Sequence, residues 1–95
     1  MFIIIELSSQ MSDELREELD ARLVGEEEFT APNPRYSEYR GWYRISFLDE
    51  VRYGQTGSGQ RVVMKRGSRK YVWETSGAHI SPGGYGWPSG SLKRL

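Results

Sequence analysis

The chain of 95 residues has no cysteine, a single histidine (His79) and only four prolines. Without cysteine it can form no disulfide, no thiolate metal site and no cysteine nucleophile. Small secreted domains commonly depend on such cross-links, so the expected compartment is the cytoplasm. Long apolar runs are missing as well. The main one, Phe2 to Ile5, is too short for a membrane span or a signal-peptide core, and no basic stretch precedes it. No membrane partner is therefore expected. One histidine without cysteine leaves only carboxylates to complete a zinc site, an unusual donor set. The expectation is no metal and no cofactor.

Net charge is also absent, since thirteen Lys and Arg balance thirteen Asp and Glu. The balance conceals a partition along the chain. Residues 1–34 carry nine acids against Arg16 and Arg22, a net charge of −7, and residues 35–95 carry the compensating +7. Such asymmetry points to a charged partner. The alternative is that the two halves neutralise one another within the fold.

What the sequence does have is aromatic surface: three Trp, six Tyr and three Phe. Each buries a large area, which helps a short chain close a core. Ninety-five residues support one domain, burying roughly 60–65% of the surface of the unfolded chain.

Local patterns predict an α+β fold. Phe2 to Leu7 reads as a strand, β-branched and nearly continuous in apolar residues. Ser12 is placed to cap a helix, with Asp13 and Glu14 in the first turn, where the helix dipole favours acids. Leu15, Leu19 and Leu23 follow at spacing four, with Met11 before them, and Gly25 stands where a left-handed terminating residue belongs. Residues 25–35, with the acid run Glu26-Glu27-Glu28 and Pro32 and Pro34, read as a linker.

From Tyr39 the period becomes two: Tyr43, Ile45 and Phe47 alternate with Arg44 and Ser46, and Val51 and Tyr53 flank Arg52. Gly67-Ser68 fits a two-residue type II′ turn between Arg61–Arg66 and Arg69–Thr75. That turn pairs Met64 with Tyr71, Val62 with Trp73, Val63 with Val72, Lys65 with Lys70 and Arg61 with Glu74. Residues 77–95, rich in Gly, Pro and Ser, read as an irregular tail outside a domain of residues 1–76.

The expected architecture is a single N-terminal helix packed on one face of a small antiparallel sheet of about four to five strands. The helix then turns Asp13, Glu14, Glu17 and Asp20 to solvent. The uncovered sheet face carries Trp42, Arg44, Arg52, Arg61, Lys65 and Lys70. Acidic and basic poles lie on opposite sides, separated by more than the ~8–10 Å Debye length, so neutralisation within the fold is weak.

No catalytic motif stands out. Gly54-Gln55-Thr56-Gly57-Ser58-Gly59 has the glycines of a phosphate loop but not the Gly-Lys-Ser/Thr entry into a helix that holds the phosphate. His79 has only Glu74 as a nearby acid. Glu74, His79, Arg61 and Lys70 could together serve a metal-free small ribonuclease, but their spacing does not favour it.

Two binding readings remain. The first is a small non-catalytic protein acting through a charged protein–protein interface, as inhibitors, immunity proteins and adaptors do, in the size and style of phage or mobile-element accessory proteins. Arg, Trp and Tyr suit such an interface, and the acidic helix offers a second surface. The alternative is a nucleic-acid-binding module that uses the basic sheet face with Tyr85 and Trp87 of the tail for base stacking. Against it stands a sequence pI near 6.6.

Overall fold

The computed structural model describes residues 1–30, 37–57, 59–76 and 89–95. Among these residues the chain forms seven strands and one short helix: β1 (Ile3–Leu7), α1 (Asp13–Leu19), β2 (Arg22–Thr30), β3 (Ser37–Ile45), β4 (Glu50–Gln55), β5 (Gln60–Arg66), β6 (Arg69–Ser76) and β7 (Ser89–Arg94). Two antiparallel sheets result. Sheet A has three strands in the order β1-β3-β2, and sheet B has four in the order β4-β5-β6-β7.

The sheets share one core. Ile5, Leu7, Tyr43 and Ile45 of sheet A meet Val62, Met64 and Tyr71 of sheet B, with Met11, Leu19, Ala21 and Leu48 closing the cluster. An α+β description holds, but the expected layering does not. The second sheet, rather than the helix, covers the first, and the helix contributes little beyond Leu19 and the partly buried Leu15.

The helix begins where the sequence places it: the Ser12 hydroxyl accepts from the Leu15 amide at 3.3 Å. It ends much earlier than expected. Asp20 adopts the left-handed conformation (φ 47°, ψ 43°), which Asp tolerates better than most residues. Ala21 and Asp20 then donate to the carbonyls of Arg16 and Glu17, the double bond that closes a helix through a left-handed residue. This termination moves Leu23 and Gly25 from helix to strand.

The linker expected over 25–35 is corrected over residues 25–30, because Glu26, Glu27 and Glu28 lie in β2, paired with Gly41, Arg40 and Tyr39 of β3, while 31–35 lie outside the described residues. A register shift between Leu23 and Gly25 marks a bulge at Val24. The irregular tail is corrected at its end, since Ser89–Arg94 forms β7 on the edge of β6 and so belongs to the domain. The sheet of four to five strands is thus two sheets totalling seven among the described residues.

The β5–β6 hairpin has the register that its turn predicts, from Arg61↔Glu74 through Arg66↔Arg69. Gly67 carries the positive φ (62°) that the first turn position requires. On the inner face two residues depart from expectation. Phe47 has left the strand, at φ 59° and 77% exposed. Tyr53 follows the alternation of Val51 but is 76% exposed, because sheet A does not extend over that end of β4.

The sheets are joined where β1 crosses β6 and β7. The Trp73 indole N–H donates to the Glu6 carbonyl at 2.8 Å, and the Ser8 amide donates to the Gly90 carbonyl at 3.2 Å. Gly90 has no room for a side chain, as an added Cβ would overlap the Glu6 carbonyl oxygen and crowd Trp73 Nε1. The Gly90→Ala variant is expected to lose about 2–4 kcal/mol of stability, the range for overpacking a well-fitted contact plus a lost, partly buried hydrogen bond. Urea denaturation checks this; a wild-type midpoint would show that β7 does not bind the domain together.

Candidate functional site

Strand alternation sorts the expected basic face into two surfaces. Arg44 and Trp42 lie on the outer side of sheet A, opposite Tyr43 and Ile45. Arg52, Arg61, Lys65 and Lys70 lie on the outer side of sheet B, opposite Met64 and Tyr71. The shared core stands between them. The single six-residue face is therefore corrected, because a chain that folds into two sheets has two outer faces.

On sheet B the register builds three rows across the strands. Glu50, Lys65 and Lys70 form the first, Arg52, Val63, Val72 and Lys93 the second, and Gly54, Arg61, Glu74 and Ser91 the third. Lys93 lies in a strand whose glycine- and serine-rich sequence reads as tail, so the sequence pattern does not place it on this face. Five cations thus face two acids. Arg52 is engaged by Glu50 and Arg61 by Glu74, the latter at 2.9 Å. Lys65, Lys70 and Lys93 make no ion pair among the described residues. The potential of this face is visible at Glu50, whose carboxyl is held below the ordinary carboxylate range. The Arg52 hydrogen bond and charge do most of this, and Lys65 and Lys70 add to it.

The outer side of sheet A is differently made. Arg44 stacks over Phe2, its guanidinium carbon 4.1 Å from the ring centre, and Arg40 lies over Trp42 at 5.1 Å. Arg40 also forms a two-pronged ion pair with Glu6, at 2.7 and 2.8 Å. Cations held on rings and carboxylates make this a self-satisfied surface.

Between β1 and the uncovered ends of β4 and β5 lies a groove of about 570 Å³. Ile3, Ile4, Ile5 and Val62 give it apolar walls, Tyr53 and Trp73 aromatic ones, and Gln55, Gln60 and Arg61 polar groups. An adjoining hollow of about 490 Å³ shares Ile4, Gln60 and Trp73 and adds Glu6, Trp42 and Thr75. This groove was not legible in sequence, since it depends on which strand ends the second sheet leaves bare.

The acidic residues Asp13, Glu14, Glu17 and Asp20 are all exposed. Their neighbour Glu18 is not free. Its carboxylate accepts from Tyr71 Oη at 3.0 Å and Arg94 Nη1 at 3.1 Å and pairs with Arg69 Nη1 at 3.0 Å, while Arg66 Nη1 donates to its backbone carbonyl at 3.1 Å. Glu18 and these arginines belong to neither expected pole; they neutralise part of the acidic segment where the helix lies against the turn end of the β5–β6 hairpin, and among the described residues no ion pair joins Asp13, Glu14, Glu17 or Asp20 to the basic sheet residues.

For a ribonuclease, the fold brings Arg61 and Glu74 together but leaves Lys70 four residues along the strand from Glu74, about 13 Å away. His79, Tyr85 and Trp87 lie outside the described residues. Among the described residues no group of three or more His, Cys, Asp or Glu could hold a metal ion. Nor is any helix long and apolar enough to cross a membrane. Comparison with protein-family models, with curated proteins and with solved structures found no match.

One titrating group near the β2–β3 hairpin gives a direct test of the strand assignment of Glu26. The Tyr39 hydroxyl donates to Glu26 Oε2 at 2.8 Å and lies 3.4 Å from the Tyr43 hydroxyl. Burial first, then these two partners, push the Tyr39 phenol above its ordinary value of 10.0. A pKa raised in the folded state leaves stability intact below the unfolded value and erodes it as pH rises above that value. In an ultraviolet titration Tyr39 is expected to ionise above the ordinary tyrosine range, and Tyr39→Phe should remove that late step. A single unresolved tyrosine transition, unchanged in the variant, would contradict the Tyr39–Glu26 contact.

Proposed function

We propose that the chain is a small non-catalytic binding protein whose outer sheet B face docks on an acidic surface of a partner protein. One observation carries this reading: Lys65, Lys70 and Lys93 stand on one four-stranded face, and none of them forms an ion pair among the described residues, the nearby Glu50 being bridged to Arg52. Exposed, uncompensated cations on a broad face speed encounter with an oppositely charged partner and reject partners of like charge. An inhibitor, immunity or adaptor role in the cytoplasm fits such a face. The zero net charge of the whole chain argues for a local, oriented contact over general attraction to polyanions.

A second reading rests on Tyr53. Its ring is 76% exposed and lines the same groove as Arg61, the combination of stacking platform and cation that single-stranded nucleic acid uses. Glu74, ion-paired with Arg61, and Glu50 interrupt that path with negative charge, so the protein partner is preferred.

The triple variant Lys65→Glu, Lys70→Glu, Lys93→Glu is expected to fold normally and to lose a stoichiometric complex captured from the native host. The double variant Glu14→Lys, Glu17→Lys should retain that complex. Capture by the first variant would reject the basic face as the interface. In parallel, labelled random oligonucleotides are titrated at low and rising salt. Tight, steeply salt-dependent binding abolished by Tyr53→Ala would transfer the assignment to nucleic acid.

A further inference from the structure

We propose that the chain also associates with a second copy of itself, with Phe47 of each protomer seated in the groove beside β1 of the other. Phe47 is one of two non-glycine residues at positive φ among those described, and the only bulky one. A left-handed phenylalanine is costly, because its Cβ crowds the backbone. Burial does not repay that cost within the chain, since the residue is 77% exposed.

The surrounding structure holds the conformation in place. Leu48 is buried in the core and its amide donates to the Met1 carbonyl at 2.9 Å. The Asp49 amide donates to the Lys65 carbonyl at 2.8 Å, while the Asp49 carboxylate accepts from the Gly67 amide at 2.6 Å. With Ile45 buried on the other side, the chain between the anchors turns Phe47 outward. Exposed, strained positions fixed in this way occur where a side chain is presented to a ligand or partner. Met1, whose carbonyl accepts from the Leu48 amide next to Phe47, is 66% exposed.

The same molecule carries a matching receptor. The groove of about 570 Å³ between β1 and the ends of β4 and β5 has apolar and aromatic walls from Ile4, Val62, Tyr53 and Trp73. Charge agrees with shape. Asp49, exposed and in no ion pair among the described residues, stands two positions after Phe47, while Glu50 is already bridged to Arg52; Arg61, bridged to Glu74, lines the groove with half of its side chain still exposed. At zero net charge nothing holds two copies apart at long range. Reciprocal exchange of Phe47 and groove closes as a two-fold dimer and fills both grooves, whereas a one-way contact would leave one of each open to further copies.

Sedimentation of the intact chain between about 5 µM and about 1 mM spans the range in which a contact with one aromatic anchor dissociates. A reversible monomer–dimer equilibrium is expected, with Trp emission changing as the groove opens on dilution. Phe47→Gly should weaken the dimer at least tenfold while melting no lower than wild type, because glycine adopts the same φ without strain. Arg61→Glu should also weaken it. Mixing these two variants should restore partial association, since one intact Phe47 then meets one intact groove. A wild-type chain that stays monomeric throughout the range would overturn the proposal. So would a Phe47→Gly dimer of unchanged affinity, or a mixture that stays monomeric. The Lys65→Glu, Lys70→Glu, Lys93→Glu variant should dimerise as wild type, so failure of the basic-face reading and failure of this one are separately visible.

Discussion

Everything else in this fold depends on the crossing of β1 over β6 and β7. In a chain with only 37% hydrophobic residues, a three-stranded and a four-stranded sheet have too little inner surface to be stable apart. The indole of Trp73 bonds to the Glu6 backbone, Gly90 allows that backbone to come close, and the Ser8 amide completes the seam. The two inner faces then become one core from Ile5 to Tyr71. The far ends of β4 and β5 lie beside β1 at the rim of this packing, where Gly54, Gln55, Gln60 and Arg61 line the groove. The groove and the exposure of Tyr53 follow from the same crossing.

Charge is organised around a second constraint. The acidic first third of the chain cannot lie far from the basic hairpin once α1 packs beside it. Glu18 collects Arg69, Arg94 and the Tyr71 hydroxyl, and its carbonyl holds Arg66. With a side chain only 14% exposed, it pairs in a less screened setting than a surface ion pair. Glu6 does the same for Arg40, and Glu74 for Arg61. These contacts absorb arginines and leave lysines unmatched, which suits the chemistry: guanidinium forks bind carboxylates in fixed geometry, while ammonium groups stay hydrated on a face open to solvent.

The parts of this structure legible in the sequence are those fixed by short-range chemistry. Gly67-Ser68 sets the hairpin register by itself, and Ser12 sets the helix start, because each acts within a few residues. The misread parts depend on partners far along the chain. Glu26 to Glu28 have poor strand propensity and become a strand because β3 offers its edge and Tyr39 a hydroxyl to Glu26. Ser-Gly-Ser-Leu-Lys-Arg is polar and glycine-bearing, yet it is a strand because β6 has a free side and β1 needs a glycine. Leu15, Leu19 and Leu23 keep helical spacing, but Asp20 ends the helix between the last two. The candidate surface was half legible for the same reason. Alternation placed Lys65 and Lys70 on one face, but only the two-sheet topology could separate them from Arg44 and Trp42 and add Lys93.

The two surfaces differ in what they can recognise, and Arg61 shows why both matter. A flat face of lysines attracts at a distance and is weakened by salt, but it discriminates little by shape. A concave site with aromatic and aliphatic walls discriminates by shape and is insensitive to salt, but it exerts no pull beyond contact. Arg61 stands in the third row of the basic face and also lines the groove. Glu74 holds it in place without consuming all of its donors. A group approaching along the lysine rows therefore meets, at their end, a cation already positioned over an apolar hollow. In a chain of zero net charge, this short path from charge to cavity is where the proposed encounter would become a specific contact.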